Sequence, residues 1–420
     1  MKDISIILEE IENSQTINEA DVKGVIERLP ELTDDGALNE LFMLGDVLMS
    51  YGHIYDAEKI FSHLHAHTDH DDDIVSFLVD IYITDNRLDD ALSLINASPK
   101  TVVTLLIKAE IFQQLNMADV SFNLLEEALT MSDDVIIHFA LAELHFYEGN
   151  ILDALDAYMK VIETEEIING VHIHLRIAKL YLLQMEYETA LTHYDKVDIH
   201  SYQNEDIFDK AVAAKHNEQP ENAKTLLQRA IDNEPYYTAA YITLIDILED
   251  ELDYEAAIQF AEAYLLQDKV NAIMYNRLGN LYFKNNQETE ALDALYESLQ
   301  LDPAYESTLT HIFEILLLSG QTEEIARFNP LIERDELNPD SQYLLAKIEA
   351  ENEEYEEAAS LYESAYAELS HAVPFMTDYY YFLLEIASAK RYNILEQLIK
   401  IEPDNIEWVH EKERLDLEEY

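Results

Sequence analysis

Histidines and aspartates crowd residues 63 to 73. His63, His67 and His70 stand at i, i+4 and i+7, so a helix reaching residue 70 would present all three on one face, a spacing that can bind Zn²⁺ or Ni²⁺. His65 lies among them, and Asp69, Asp71, Asp72 and Asp73 follow. A second account needs no metal. Imidazoles near a helix C-terminus interact favourably with its dipole, and aspartates at the next N-terminus satisfy its free amides. The reading adopted assigns no metal and no cofactor, with the His63 to His70 cluster as the one alternative route to metal binding or an enzyme.

Other chemistry is poorly served. Glycines 24, 36, 45, 52, 149, 170, 279 and 320 never fall in a phosphate-cradling spacing, so Walker and dinucleotide loops are absent. No Gly-x-Ser-x-Gly elbow or His-Glu-x-x-His helix occurs. With no cysteine there is no thiol nucleophile, thiolate metal site or disulfide framework. Carboxylates are plentiful, but a catalytic pair needs burial to separate its pKa values, and solvated helix faces do not supply it. The expectation is a protein that is not an enzyme.

The elements that must position any site are helices. Glycine and proline together are 17 of 420 residues (8 and 9), about 4% where ordinary usage gives roughly 12%. Sandwiches, barrels and doubly wound sheets need more turn formers, so the expected class is all-α with short connections. The chain carries 86 acidic and 26 basic side chains, a net charge of −60. That balance argues against binding nucleic acid or an anionic membrane directly, because a phosphate-binding face needs clustered Lys and Arg. No stretch approaches the roughly 18 apolar residues of a membrane span, and the N-terminus lacks the apolar core of a signal peptide, so a cytoplasmic location is expected.

A period of 34 residues organises the chain. In Ala272 to Tyr305, Tyr275, Leu278, Gly279, Tyr282, Ala291, Leu295 and Pro303 fall at positions 4, 7, 8, 11, 20, 24 and 32. Further units begin at Leu38, Asp72, Val102, Val135, Val171, Asn204, Thr238, Glu306, Pro339 and Ala372, the last in an uncertain register. Alanine fills position 20 in eight of these eleven units. The reason is steric: two antiparallel helices, A and B, cross most closely at positions 8 and 20. Gly45 and Gly279 sit at position 8, while Gly52, Gly149 and Gly320 sit at position 15, where helix A must end. Aromatic residues at positions 11, 17 and 24, among them Tyr82, Phe112, Tyr158, Tyr181, Tyr187, Tyr194, Tyr254, Tyr282, Tyr355 and Tyr362, read as interlocking core.

This pattern resembles the tetratricopeptide repeat over about residues 38 to 405. The long, acidic, all-repeat build is similar to cytoplasmic repeat proteins of low-GC Gram-positive bacteria. The resemblance implies a right-handed superhelical solenoid of about eleven units. Residues 1–37 are expected to form capping helices, 38–305 eight units, 306–338 a degenerate unit, 339–404 two more units and 405–420 a C-terminal cap. Ile4, Ile7, Leu8 and Ile11, then Val22, Val25, Ile26 and Leu29, supply the first cap's stripes, and Trp408 anchors the last. Phe313, Ile325 and Pro330 place a bend or break in the degenerate unit. The unit from Asp72 loses about a turn of helix B before Pro99.

The resemblance also implies a concave face lined by helix A that binds a peptide, helix or protein loop. Carried onto this chain, position 9 becomes Asp46, Asp80, Glu110 and Glu143 in four successive units. Phe42, Met43, Phe77, Phe139, Phe146 and Tyr147 flank them. An acidic ladder among apolar side chains suits a basic or amphipathic partner segment, so the expected function is a non-enzymatic adaptor. Composition alone could also put acids at position 9. Arg176 and Lys179, then Arg277, Asn280 and Lys284, form a weaker basic patch. Similarity to peptide-responsive repeat regulators is an alternative, but 37 residues before the first repeat leave little room for an effector domain. A nucleic-acid mimic would align its acids on one stripe, and these are distributed. A homodimer is left open.

Overall fold

The computed structural model describes residues 3–14, 16–69 and 71–418. Its contacts divide the chain into two units, Met1–Asp198 and Ile199–Tyr420. In the first, α1 (Ile4–Ser14) and α2 (Glu19–Ile26) precede the pairs α3/α4 (Asp35–Ser50, Ile54–His67) and α5/α6 (Asp72–Thr84, Leu88–Ala97). The pairs α7/α8 (Val102–Gln114, Ala118–Met131), α9/α10 (Val135–Tyr147, Ile151–Val161) and α11/α12 (Ile173–Leu183, Tyr187–Tyr194) follow. The second unit opens with α13/α14 (Asn204–His216, Pro220–Asn233), α15/α16 (Thr238–Asp250, Tyr254–Gln267) and α17/α18 (Ala272–Lys284, Glu288–Leu301). It continues with α19 (Glu306–Ser319), the four-residue α20 (Ile325–Phe328), α21/α22 (Pro339–Glu351, Tyr355–Leu369), α23/α24 (Val373–Glu385, Lys390–Ile401) and α25 (Ile406–Glu418). The fold is an all-α repeat solenoid.

Each pair closes on its small residues. Ala57, Ala91, Ala154, Ala190, Ala223, Ala257, Ala291 and Ala358 are all fully buried. Ser121 stands at the same position in α8, and its hydroxyl donates to the Ala109 carbonyl of α7 at 2.7 Å, bridging positions 20 and 8 directly. At Gly279 the approach leaves no room for a methyl group: a Cβ there would lie 2.6 Å from Leu295 Cγ and 3.0 Å from the Ala291 carbonyl oxygen. Isolated helices of this length are marginal in water, so this packing is what holds them.

Every A helix from α3 to α23 ends in a left-handed residue. The series is Gly52, Asn86, Asn116, Gly149, Met185, Glu218, Leu252, Asn286, Gly320, Glu353 and Ala387, with φ between 51° and 78°. The next amide donates to a carbonyl five residues back, as from Arg87 to Tyr82 at 2.7 Å and from Asp253 to Leu248 at 2.8 Å. This bond satisfies a carbonyl that the helix end would otherwise orphan. Ala387 is position 16 counted from Ala372, so the last unit begins one residue later, at Val373.

Several details differ from the sequence reading. Of the aromatic positions, only those at position 24, Phe61, Tyr158, Tyr194 and Tyr362, are fully buried. Those at positions 11 and 17 are half-buried beside the turn within each pair. Residues 167–172 form a short antiparallel hairpin, with Ile167 opposite His172 and Ile168 opposite Val171. Asn169 and Gly170 make its turn with φ 50° and 78°, the two positive values such a turn requires.

Helices α1, α2 and α25 bury apolar residues against their neighbours. Ile4, Ile7 and Ile11 of α1 and Val22 and Val25 of α2 join Leu41, Leu44 and Phe61 in one cluster. At the other end Trp408 and Leu415 of α25 are buried, and the Trp408 indole donates to Glu402 at 2.9 Å. No helix among the described residues is long and apolar enough to cross a membrane.

Candidate binding groove

The four position-9 acids lie on four successive A helices, α3, α5, α7 and α9, but not in one electrostatic state. Asp46, Asp80 and Glu110 are exposed, and none has a cation paired with it among the described residues. Partial burial among neighbouring side chains raises the Asp80 carboxyl above the ordinary carboxylate range. Glu110 is raised in the same way, first by burial and then by the negative charge of Asp80, which places the two within electrostatic reach.

Glu143 departs from the series. Arg176 of α11 grips it bidentately, donating from Nε to Oε1 at 2.9 Å and from a terminal nitrogen to Oε2 at 3.1 Å. The buried Tyr158 hydroxyl donates to it as well. Burial is the main reason that hydroxyl is pushed far up, with the Glu143 charge adding to it. The ladder of free acids therefore has three rungs, and Glu143 is part of a neutralised network.

The cause is a relation between neighbouring units that the sequence reading did not use. Position 6 of one unit reaches position 9 of the unit before it. Arg176 meets Glu143 in this way. In the second unit Arg277 pairs with Asp246, His311 Nε2 approaches Asn280 at 3.5 Å, and Asp378 pairs with Lys347 at 2.7 Å. Lys215 also pairs with Asp246 at 3.5 Å, and Glu249 binds both Arg277 and Lys284. Arg277, Asn280 and Lys284 are thus engaged within a mixed-charge network. The residues that follow Asp46, Asp80 and Glu110 at position 6 are Phe77, Ile107 and Ala140, which carry no charge.

The flanking side chains separate into support and surface. Phe139 is buried, so it supports the A-helix face without forming it. Phe42 and Phe77 are half-buried and meet edge to face at 5.6 Å, with Phe77 stacked on the buried Phe61 at 4.6 Å. Phe146 is half-buried with the Arg176 guanidinium over its ring at 5.0 Å. Met43 and Tyr147 are 57% and 64% exposed, the two large side chains of this set that a ligand could cover.

Among the described residues no three histidine or carboxylate groups come together as a metal ion would require. α4 ends at His67 with Thr68 as its cap, and His70 lies outside the described residues. His63 Nε2 donates to the Leu32 carbonyl at 2.9 Å and His67 Nδ1 to the His63 carbonyl at 2.8 Å. The other ring nitrogen of each imidazole, His63 Nδ1 and His67 Nε2, keeps its lone pair. Asp71 caps α5, accepting from the amides of Asp73 at 3.0 Å and Ile74 at 3.4 Å.

Three family models match parts of the chain: YpiA-like tetratricopeptide repeats at residues 113–166, a tetratricopeptide repeat at 243–306, and YpiA-like C-terminal tetratricopeptide repeats at 339–405. The chain is 26% identical over 344 residues to the TPR repeat-containing protein YpiA of Bacillus subtilis, covering 80% of this chain and 81% of that one. Among solved structures it is similar to the C-terminal part of a TPR repeat-containing protein from Cytophaga hutchinsonii, at 15% identity and a TM-score of 0.47 over 64% of this chain and 97% of that one. It is also similar to YrrB, described as a TPR protein with an unusual peptide-binding site, at 20% identity and a TM-score of 0.38 over 44% of this chain and 96% of that one.

Proposed function

The chain is a tetratricopeptide repeat protein, a family of interaction scaffolds, and on that premise we propose that it is a non-enzymatic cytoplasmic adaptor whose first four units bind a basic or amphipathic segment of a partner protein. The observation that carries this reading is the contrast between its carboxylates. Those of the second unit at Asp246 and Glu249 are already paired with cations, whereas Asp46, Asp80 and Glu110 are not. Asp80 and Glu110 raise a repulsive potential that a lysine or arginine side chain would relieve, and Met43 and Tyr147 offer apolar surface beside them. Charge of this kind favours fast encounter and specificity, and it weakens with salt.

The test is capture from a native cytosol with three forms of the chain. One is the parent and one carries Asp46→Lys, Asp80→Lys and Glu110→Lys. The third carries Asp119→Lys, Glu126→Lys and Asp153→Lys, the same charge change placed on exposed positions of α8 and α10. Partners retained by the parent and the third form, lost from the second and released by 1 M salt are expected. Equal capture by all three would sink the proposal.

A further inference from the structure

The turns that join α7 to α8, α9 to α10 and α11 to α12 each expose two large apolar side chains. They are Leu115 and Met117, Tyr147 and Leu152, and Leu183 and Met185, between 38% and 72% exposed. The turn before them, from α5 to α6, is Asp85, Asn86 and Arg87. Tyr147 also borders the groove described above. Met185 holds φ 62° at the left-handed position that Asn116 and Gly149 fill in the two preceding pairs. A large side chain thus stands exposed where glycine or asparagine would carry less strain.

The three turns lie side by side. Ala118 and Phe122 of α8 pack in one apolar cluster with Leu144 of α9, and the Phe122 ring lies 4.6 Å from that of His145. Phe146 of α9, Ile151 of α10 and Tyr181 of α11 pack against another common cluster. With neighbouring helices about 8–10 Å apart, the six exposed side chains form a strip about 20 Å long. Soluble proteins rarely leave so many large apolar side chains together unless a partner covers them.

Charge selects that partner. Asp119, Glu148, Asp153, Glu186 and Glu188 are exposed along the strip, and residues 113–120, 145–156 and 181–189 contain no lysine or arginine. A second copy of the chain would set these acids against their own kind, whereas a basic partner is attracted to them. Spacing selects its shape. Seven residues along a helix advance about 10.5 Å, close to the step between turns, while same-face residues of a strand recur at about 6.6 Å. We propose that the strip docks a basic amphipathic helix of a partner protein, with apolar residues at i, i+7 and i+14 on the three turns and flanking lysines or arginines facing the five acids. The strip is separate from Asp46, Asp80 and Glu110 and does not depend on what they bind.

Fluorescence anisotropy with a labelled leucine/lysine peptide of about 18 residues, its leucines in that register, tests it at 150 mM salt. The full chain carrying Asp46→Lys, Asp80→Lys and Glu110→Lys is titrated beside the parent, which tells binding in the groove from binding on the strip. Saturable binding to both is expected, at least tenfold tighter than that of an isomeric peptide with scattered leucines. Leu152→Ser with Leu183→Ser and Met185→Ser should weaken it at least tenfold, and Leu183→Ser alone about threefold. Leu266→Ser with Val270→Ser and Ile273→Ser, comparably exposed outside the strip, should change it less than twofold. Binding lost from the groove variant, equal binding of the two peptides, or binding unchanged in the triple serine variant of the strip would overturn the proposal. A dimer seen in sedimentation, or flotation with phosphatidylcholine vesicles, that this variant abolishes would give the strip to a second copy or to a membrane and overturn it as well.

Discussion

Alanine placed at two helical glycines should shift stability in opposite directions. Gly24 lies within α2, and a Cβ there meets nothing within 4 Å. The substitution gains only the helix preference of alanine over glycine, about 1 kcal/mol. Gly279 lies within α17 and gains the same term. Its new methyl, however, would sit 2.6 Å from Leu295 Cγ, 2.9 Å from Cδ2 and 3.0 Å from the Ala291 carbonyl oxygen. Leu295 is fully buried and cannot swing into solvent, so α17 and α18 must separate. Overpacking of this kind costs about 1–3 kcal/mol, and moving a backbone belongs at the upper end. The net expectation is a loss of roughly 1–2 kcal/mol for Gly279→Ala and a gain of about 1 kcal/mol for Gly24→Ala. Repeat arrays need not unfold in one step, so a single melting midpoint could dilute both effects. Native-state hydrogen exchange of the α17 and α18 amides, and separately of α2, measures each locally. Slower exchange in α17 and α18 of Gly279→Ala would refute the close-approach argument.

Three further outcomes follow from the site and the turns. Leu252→Gly should stabilise the chain by about 0.5–1 kcal/mol, since an exposed leucine at φ 62° carries left-handed strain that glycine lacks, less the extra entropy of unfolded glycine; chemical denaturation reads the sign. Arg176→Met should destabilise by about 1–2 kcal/mol because Glu143, 16% exposed at its side chain, loses both guanidinium bonds. The same variant should bind a lysine-rich probe peptide more tightly, through a fourth unpaired acid. Glu110→Gln should stabilise by about 0.3 kcal/mol at neutral pH, because it removes a charge penalised first by burial and then by the like charge of Asp80. Because the Glu110 carboxyl holds its proton more tightly folded than unfolded, its penalty grows as pH rises past the unfolded value. The gain should therefore vanish near pH 3, and a gain that persists there would refute the electrostatic cause.

The repeat was legible because close helix crossing admits few residue types, and alanine or glycine at positions 8 and 20 announces it. The helix ends were only partly legible. Glycine marks the left-handed position in three of eleven units, and Met185, Glu218, Leu252, Glu353 and Ala387 adopt the same conformation because the turn imposes it. Asn169–Gly170 carried the ordinary signal of a two-residue hairpin, but it fell inside a pattern otherwise helical. The acidic ladder was legible as four positions and illegible as charge states. Each position 9 was read within its own unit, while its partner lies 31 to 33 residues further on. Reading position 6 of the following unit, where Phe77, Ile107 and Ala140 stand before Arg176, would have separated Glu143 from the other three.

That reach from position 6 to position 9 limits how far a unit is a module. A helix pair cut out at its own boundaries keeps its packing residues but leaves behind the residue that sets the charge of its binding face. Grafted without α11, α9 and α10 would present Glu143 as an anion held only by the Tyr158 hydroxyl; joined to an uncharged successor, α15 would lose the Arg277 that pairs with Asp246. Recombining units in such an array therefore alters the chemistry of a face at each new junction, even where every unit is transplanted unchanged.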